Sequence, residues 1–379
     1  MTGLRVIVDQ LLSPIPGGIG RYATELTNAL VGTAPAGRGV VGVVSRTDAA
    51  GVARVRAAVP GLADVDVLPH SRRALTLAWQ FGSVSLAALP RGAATHGTSQ
   101  FTPLTRRRGG TTVVTIHDAV PWTHPETLTR FGAQWHRAMG ERAERWADAV
   151  VVPTQAVADE LGRFLRLGER VRVIGGAPSS ALALGGPADA EERAARLGLP
   201  PAYVLAVGTL EPRKGLDALI AAMAHPAAPP LPLVVAGPPG WGDVDLAAFA
   251  AEAGLPAERL RILGRIDDAD LAVAYARASA FCMPSRAEGF GLPVIEAMRL
   301  GTPVVHSDVP ALVEVAGGAG IAVPLAPTEA YPARLAFALA EAVEPDRGTG
   351  LRAAGAARAG AFSWTASAEA VWALHASLG

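Results

Sequence analysis

The chain has 379 residues, half of them apolar and 18% charged, with 34 basic and 34 acidic side chains and so no net charge. That balance argues against nucleic acid as the main partner, since a phosphate backbone calls for a basic field. The single cysteine, Cys282, excludes an intramolecular disulfide and any cysteine-clustered zinc site. No basic segment leads into a long apolar run near Met1. The longest weakly polar stretch, residues 74–90, is shorter than the ~20 residues of a spanning helix. The expectation is a soluble cytoplasmic protein.

The length suits two domains, and short β-branched runs alternate with helix-like segments. Strands are expected at residues 4–9, 39–45, 111–117, 149–152, 171–174, 203–207, 233–236, 261–263, 280–283 and 303–306. Helices are expected between them, at 20–31, 135–147, 156–164, 216–224, 268–276 and 293–300. Such alternation predicts βαβ units and parallel sheets covered on both faces. Ten strands overfill one sheet of this kind. The break is expected between Ala177 and Pro201, where Pro178, Gly185-Gly186-Pro187 and the polar stretch 188–196 read as a linker and a short helix. The predicted fold class is α/β, two doubly wound Rossmann-like domains facing a cleft, with ligands at the carboxyl ends of the strands.

Lysine occurs once, at Lys214, against 33 arginines. It lies in Val207-Gly208-Thr209-Leu210-Glu211-Pro212-Arg213-Lys214-Gly215, between a strand and a helix. A compact ammonium there suits a phosphate as a movable point charge, where guanidinium is a broad fork. The second segment is Pro284-Ser285-Arg286-Ala287-Glu288-Gly289-Phe290-Gly291-Leu292-Pro293-Val294-Ile295-Glu296. Its glycines let the backbone approach a ligand, and Pro293 suits the first turn of a helix. That helix start is an anion site by dipole and by unpaired N–H groups. Glu288 and Glu296 can accept from hydroxyls on two parts of one long ligand.

The second segment resembles the E-x7-E signature of retaining GT-B glycosyltransferases of family 4, and residues 207–214 resemble that family's G-x-x-x-x-R-K loop. The likeness continues in Pro16-Gly17-Gly18-Ile19-Gly20-Arg21-Tyr22, His117-Asp118, His124-Pro125-Glu126, Ala147-Asp148 and Ser307-Asp308-Val309-Pro310 with Glu314. It implies an acceptor-side domain at 1–185, a nucleotide-sugar domain at 186–360, and a C-terminal helix, 361–379, returning to the first. It implies that Arg213 and Lys214 bind the donor diphosphate, Glu296 the ribose and Glu288 the transferred sugar. Backbone at Gly208, Gly289, Phe290, Gly291 and Leu292 would meet sugar and phosphate. Ile266, in Gly264-Arg265-Ile266-Asp267, would lie against the base. Gly18, taken as loop, would let the first domain approach the diphosphate, and His117 would face the reacting centre. Gly215 stands where the family often has asparagine, which should loosen the capping of the loop. Arg286 and Ala287 read as ordinary variation.

The resemblance implies retention of configuration, and no carboxylate is an obvious covalent nucleophile, so front-face attack with the departing phosphate as base is favoured. The co-substrate would be a nucleotide-diphosphate sugar, with no cofactor and no metal. GDP-mannose is the first donor, because Gly17–Tyr22 and His124-Pro125-Glu126 look like bacterial mannosyltransferases of polysaccharide or glycolipid assembly. The alternatives are a UDP- or dTDP-sugar transferase (glucosyl or rhamnosyl), a nucleotide-sugar epimerase, or a non-catalytic nucleotide-sugar-binding partner subunit.

Three patterns compete. Gly18-Ile19-Gly20-Arg21-Tyr22-Ala23 fits a dinucleotide fingerprint, but lies far from the first strand and no acid ends the second. Asp268-Ala269-Asp270 spells D-x-D, yet Asp267 and Asp268 suit a helix start. His96, His117 and His124 sit in separate contexts and read as structural or surface groups. Finally, Arg72-Arg73 before an aromatic helix candidate around Trp79 and Phe81, and the run Arg106-Arg107-Arg108, are candidates for docking an anionic or lipid-linked acceptor peripherally at the inner membrane surface.

Overall fold

The computed structural model describes residues 3–14, 17–82, 92–105, 109–182, 187–240, 242 and 244–379. The chain divides into two compact units, 1–176 with 363–379, and 177–362. The first runs β1 (Leu4–Ile7), α1 (Gly17–Gly32), β2 (Val40–Val44), α2 (Ala49–Ala58), β3 (Asp64–Val67), α3 (Arg72–Phe81), β4 (Thr95–Gly97), β5 (Thr112–Thr115), α4 (Val120–Thr123), α5 (Arg130–Trp146), β6 (Ala149–Val152), α6 (Gln155–Leu161) and β7 (Val171–Val173). The second runs α7 (Ala190–Leu197), β8 (Val204–Val207), α8 (Leu216–Ala224), β9 (Leu233–Ala236), α9 (Leu246–Ala253), β10 (Leu260–Gly264), α10 (Asp268–Arg277), β11 (Ala280–Met283), α11 (Leu292–Arg299), β12 (Val304–Ser307), α12 (Pro310–Ala316), β13 (Ile321–Val323), α13 (Tyr331–Val343) and α14 (Pro345–Ala359). The closing helix, α15 (Trp364–Leu378), belongs to the first unit.

Each unit is a parallel sheet covered by helices. The strand orders are β3-β2-β1-β4-β5-β6-β7 and β10-β9-β8-β11-β12-β13. Both are doubly wound, with the order reversing beside the first strand of the unit. The inner strands β6, β9 and β11 are buried along their whole length, which explains their unbroken apolar runs. In the second unit alternate residues feed opposite layers. Val204, Ala206, Val235 and Cys282 pack with α8, α9 and α13, whereas Tyr203, Leu205, Val234, Phe281 and Met283 pack with α10 and α11.

Thirteen strands stand among the described residues where ten were expected. The additional ones are β3, whose Asp64 and Asp66 hide an edge strand, β4, which is Thr-His-Gly, and β13. Runs of three or four residues are too short to display a period, and only neighbouring strands make them strands. Gly18 is not in a loop: it is the second residue of α1. The first strand also ends earlier than expected. Asp9 begins a 3-10 turn, buried, with Oδ1 accepting from Ser45 N at 2.6 Å and Oδ2 paired with Arg72 at 2.6 Å. Arg72 therefore pins the start of α3 to the turn after β1 and lies over the Phe101 ring at 4.8 Å. Arg106-Arg107-Arg108, Pro16 and Gly185-Gly186 lie outside the described residues.

Helix α15 packs on α1. Trp364 meets Tyr22 edge-on at 5.6 Å, and Trp372 Nε1 donates to Leu30 O at 3.1 Å. Deeper in the unit His375 Nε2 faces His96 Nδ1 at 3.3 Å, both side chains buried. These are core histidines rather than surface groups. Burial holds His96 well below its ordinary value, with the neighbouring imidazole adding to it. Burial, with the charge of Arg38, takes His375 down to about 4. Both imidazoles are neutral in the folded protein at pH 7 and regain an ordinary value near 6.5 when the chain unfolds. Their stabilisation is complete above that value and is lost as pH falls below it, by up to about 1.4 kcal/mol per pH unit for each histidine. The urea midpoint of the wild type is expected to fall between pH 6.5 and 5, and His375→Leu to flatten that fall; an unchanged slope in the variant would mean that the pair is solvated.

Candidate active site

The reversal of strand order in the second unit lies between β8 and β11, which pair directly. The loops that leave their carboxyl ends, 208–215 and 284–291, are forced together there. The first tightens into a 3-10 turn, Pro212–Lys214, closed by Lys214 N to Glu211 O at 2.9 Å and Gly215 N to Pro212 O at 3.3 Å. Arg286 N donates across to Arg213 O at 2.7 Å, joining the loops backbone to backbone.

This juxtaposition sets Glu288 between two cations. Lys214 Nζ lies 2.6 Å from Glu288 Oε1 and Arg213 Nη1 lies 3.4 Å from Oε2. Arg213 Nε also reaches Glu211 Oε2 at 3.0 Å. The Lys214 side chain is 15% exposed and that of Glu288 only 8%. Burial pulls the lysine below its ordinary value, the Arg213 charge adds to this, and Glu288 partly restores it. Burial alone would raise the Glu288 carboxyl, but the Lys214 and Arg213 charges outweigh it, so it lies below the usual carboxylate range. The carboxylate is ionised and held by both cations. Lys214, Gly208 and Ser285 also line a small pocket together with Ala206, Val235 and Cys282.

Gly215 permits the approach. Its φ is +66°, and a Cβ there would lie 2.2 Å from Pro284 O. It occupies the N-cap position of α8 without a side-chain cap. An asparagine would improve the capping but could not occupy that space. The absent side-chain cap agrees with the expected loosening, and a steric requirement stands beside it, because the opposite loop fills the room that a side chain needs.

The other expected site residues are distributed as follows. Gly208 directly follows β8, its N–H bound to Ala236 O at 3.0 Å. Gly289 lies in the loop, Phe290 meets Phe362 edge-on at 5.7 Å, and Gly291, with φ +86°, is the N-cap of α11, whose first residue is Leu292. Glu296 is inside α11, nearly fully buried, and accepts from Tyr275 OH at 3.2 Å. Ile266 precedes α10 and packs on the core. Asp267 caps α10 by accepting from Asp270 N at 2.7 Å, and Asp270 is paired with Arg193 and Arg196 at 2.7 Å each. The D-x-D spelling is thus a capped helix start. Among the described residues no three His, Cys, Asp or Glu side chains converge as a metal site.

Gly18 and His117 belong to the first unit. His117 lies just beyond β5, at the carboxyl end of the sheet. Its Nε2 donates to Thr98 O at 2.8 Å, and Tyr22 meets the ring edge-on at 4.8 Å. Burial pulls its pKa down against the Thr98 carbonyl and the Asp118 charge. The imidazole is neutral, with Nε2 protonated and Nδ1 an acceptor.

Sequence reasoning overlooked Glu211, the second carboxylate on Arg213, and Asp217, which takes Arg286 in a bidentate pair at 2.9 and 2.6 Å. The available signal was an acid in the first turn of a helix, common enough to pass unnoticed.

Two family models match the chain. The model Glycosyltransferase Family 4 matches residues 16–177, and the model Glycosyl transferases group 1 matches residues 189–346. The chain belongs to glycosyltransferase family 4, group 1. It is 38% identical over 165 residues to O-antigen chain mannosyltransferase B of Escherichia coli, covering 43% of this chain and 42% of that protein. It is 35% identical over 242 residues to the D-inositol 3-phosphate glycosyltransferase of Segniliparus rotundus, covering 60% of this chain and 52% of that one. The chain therefore spans about half the length of these curated relatives. Its fold is shared along essentially the whole chain with sucrose-phosphate synthase from Thermosynechococcus elongatus, at a TM-score of 0.76, 24% identity and coverage of 100% of this chain and 99% of that one. Anabaena HepE, in complex with UDP and glucose, gives a TM-score of 0.76 at 20% identity with both chains fully covered. The fold is the two-domain GT-B architecture. In this family member Gly215→Ala should cost about 2 kcal/mol or more, from the left-handed backbone and the clash with Pro284 O. A chemical-denaturation midpoint equal to wild type would refute the close approach.

Proposed function

We propose that this chain is a retaining glycosyltransferase that moves a hexose, mannose from GDP-mannose in the first instance, to a hydroxyl of a glycan or lipid-linked acceptor. The observation that carries the reading is the convergence of Arg213, Lys214 and Glu288 at the switch point of the second sheet. Two cations beside a helix amino end suit a leaving diphosphate, whose charge grows as the glycosyl–phosphate bond breaks. Glu288 suits a sugar hydroxyl, Glu296 the ribose, and the neutral His117 with its Nδ1 acceptor the reacting centre. The acceptor oxygen must be held near the anomeric carbon, and front-face attack with the departing phosphate as base needs no further carboxylate. Mannose is supported by the mannosyltransferase relative at 38% identity. A nucleotide-sugar donor is supported by the family and by the UDP-bound relative of the same fold. No helix among the described residues is long and apolar enough to cross a membrane. Any membrane contact in this reading is peripheral, and retention on anionic vesicles at low salt tests it.

Thermal shift against GDP, UDP, dTDP and ADP without added metal tests the donor. A nucleoside diphosphate at a hundred times its Kd should stabilise the fold by about 2.7 kcal/mol, and GDP is expected to be that ligand. Lys214→Ala and Glu288→Ala are each expected to lower transfer at least about a hundredfold, with circular dichroism still reporting a folded chain. Near-normal turnover in either variant would remove the assignment.

A further inference from the structure

Arg286 has no place in the scheme above, yet it makes two bonds to the cation-bearing turn and two more to the helix that follows it. Its Nη1 donates to Asp217 Oδ1 at 2.9 Å and to Pro212 O at 2.8 Å, and its Nη2 donates to Asp217 Oδ2 at 2.6 Å. Its backbone N–H donates to Arg213 O. One residue thus grips the chain on both sides of Lys214, at 212, 213 and 217. The turn needs such a grip. A single 3-10 turn is weak by itself, and its helix, α8, begins without a side-chain cap.

We propose that Arg286 is a positioning residue, which through Asp217 and the Pro212 carbonyl fixes the Arg213-Lys214 turn at the spacing where both cations meet one anion. The proposal rests on the reading of this site as a diphosphate site. The fork of a guanidinium is what the arrangement uses: two parallel bonds to a carboxylate set orientation as well as distance, and the same Nη1 reaches the carbonyl. Lysine keeps the charge but has no fork. The pair is partly exposed, 33% at Arg286 and 42% at Asp217. Ion pairs of that exposure add little to global stability, so the effect belongs in ligand binding rather than in unfolding.

The test uses the full chain and compares wild type, Arg286→Met, Arg286→Lys, Asp217→Asn and the double variant Arg286→Met/Asp217→Asn. The probes are GDP, UDP, dTDP and ADP. With the diphosphate that binds wild type best, Arg286→Met should raise Kd about tenfold or more, as expected when a charged group is displaced from its working position. The donor KM should rise with it while the unfolding midpoint stays near wild type. Arg286→Lys should fall between the two, and the double variant should be no worse than Arg286→Met, because both residues act through one link. Wild-type Kd and KM in Arg286→Met, or in Arg286→Lys should the methionine variant fail to fold, would overturn the positioning role and leave the diphosphate site standing. A wild type that binds none of the four diphosphates would overturn the diphosphate site, and this proposal with it.

Discussion

The pairing of Lys214 with Glu288 is the constraint on which the second unit's functional surface depends. Each charge is mostly withdrawn from water, and a lone buried charge is costly, so each side chain favours the position in which it meets the other. The sheet supplies the precondition. Strands β8 and β11 are far apart in the chain but adjacent in space, so the loops at their carboxyl ends must share one volume. Gly215 then admits the Pro284 carbonyl where any side chain would block it. The register of two strands is converted in this way into a salt bridge of 2.6 Å.

The cluster is electrically balanced as it stands. Arg213 and Lys214 face Glu211 and Glu288, two positive groups against two negative ones. In the proposed reaction a diphosphate brings more negative charge than one carboxylate, so the cations would trade Glu288 for phosphate oxygens and release it toward the sugar.

The first unit uses its ionisable groups differently. His96, His117 and His375 are kept neutral by burial, and their rings pack or hydrogen-bond within the domain. Asp9 and Arg72 form a charged contact under the start of α3, and it holds the helix in place. The aromatic seam between α1 and α15, Tyr22 against Trp364, adds apolar area that the closing segment of the chain contributes to a domain assembled much earlier in the sequence.

From the letters of the chain alone, the α/β class, ten of the strands and the two motif loops are legible. Their signals are local: β-branched runs, a proline at a helix start, one lysine among 33 arginines. Local signals fail where the deciding partner is distant. Nothing near Thr95–Gly97 marks a strand until β1 and β5 flank it. Gly18 reads as loop beside Gly17, yet it lies within the first turn of α1. Arg286 reads as ordinary variation because Asp217, which gives it purpose, is 69 positions away. The same holds for Gly215, whose reason is a carbonyl in another loop, and for the tuning of Glu288, whose charge state depends on burial and on two cations that spacing in the sequence cannot bring within reach. Residue type and order carry the chemistry available to this protein, and packing at the β8–β11 junction sets the distances at which that chemistry operates.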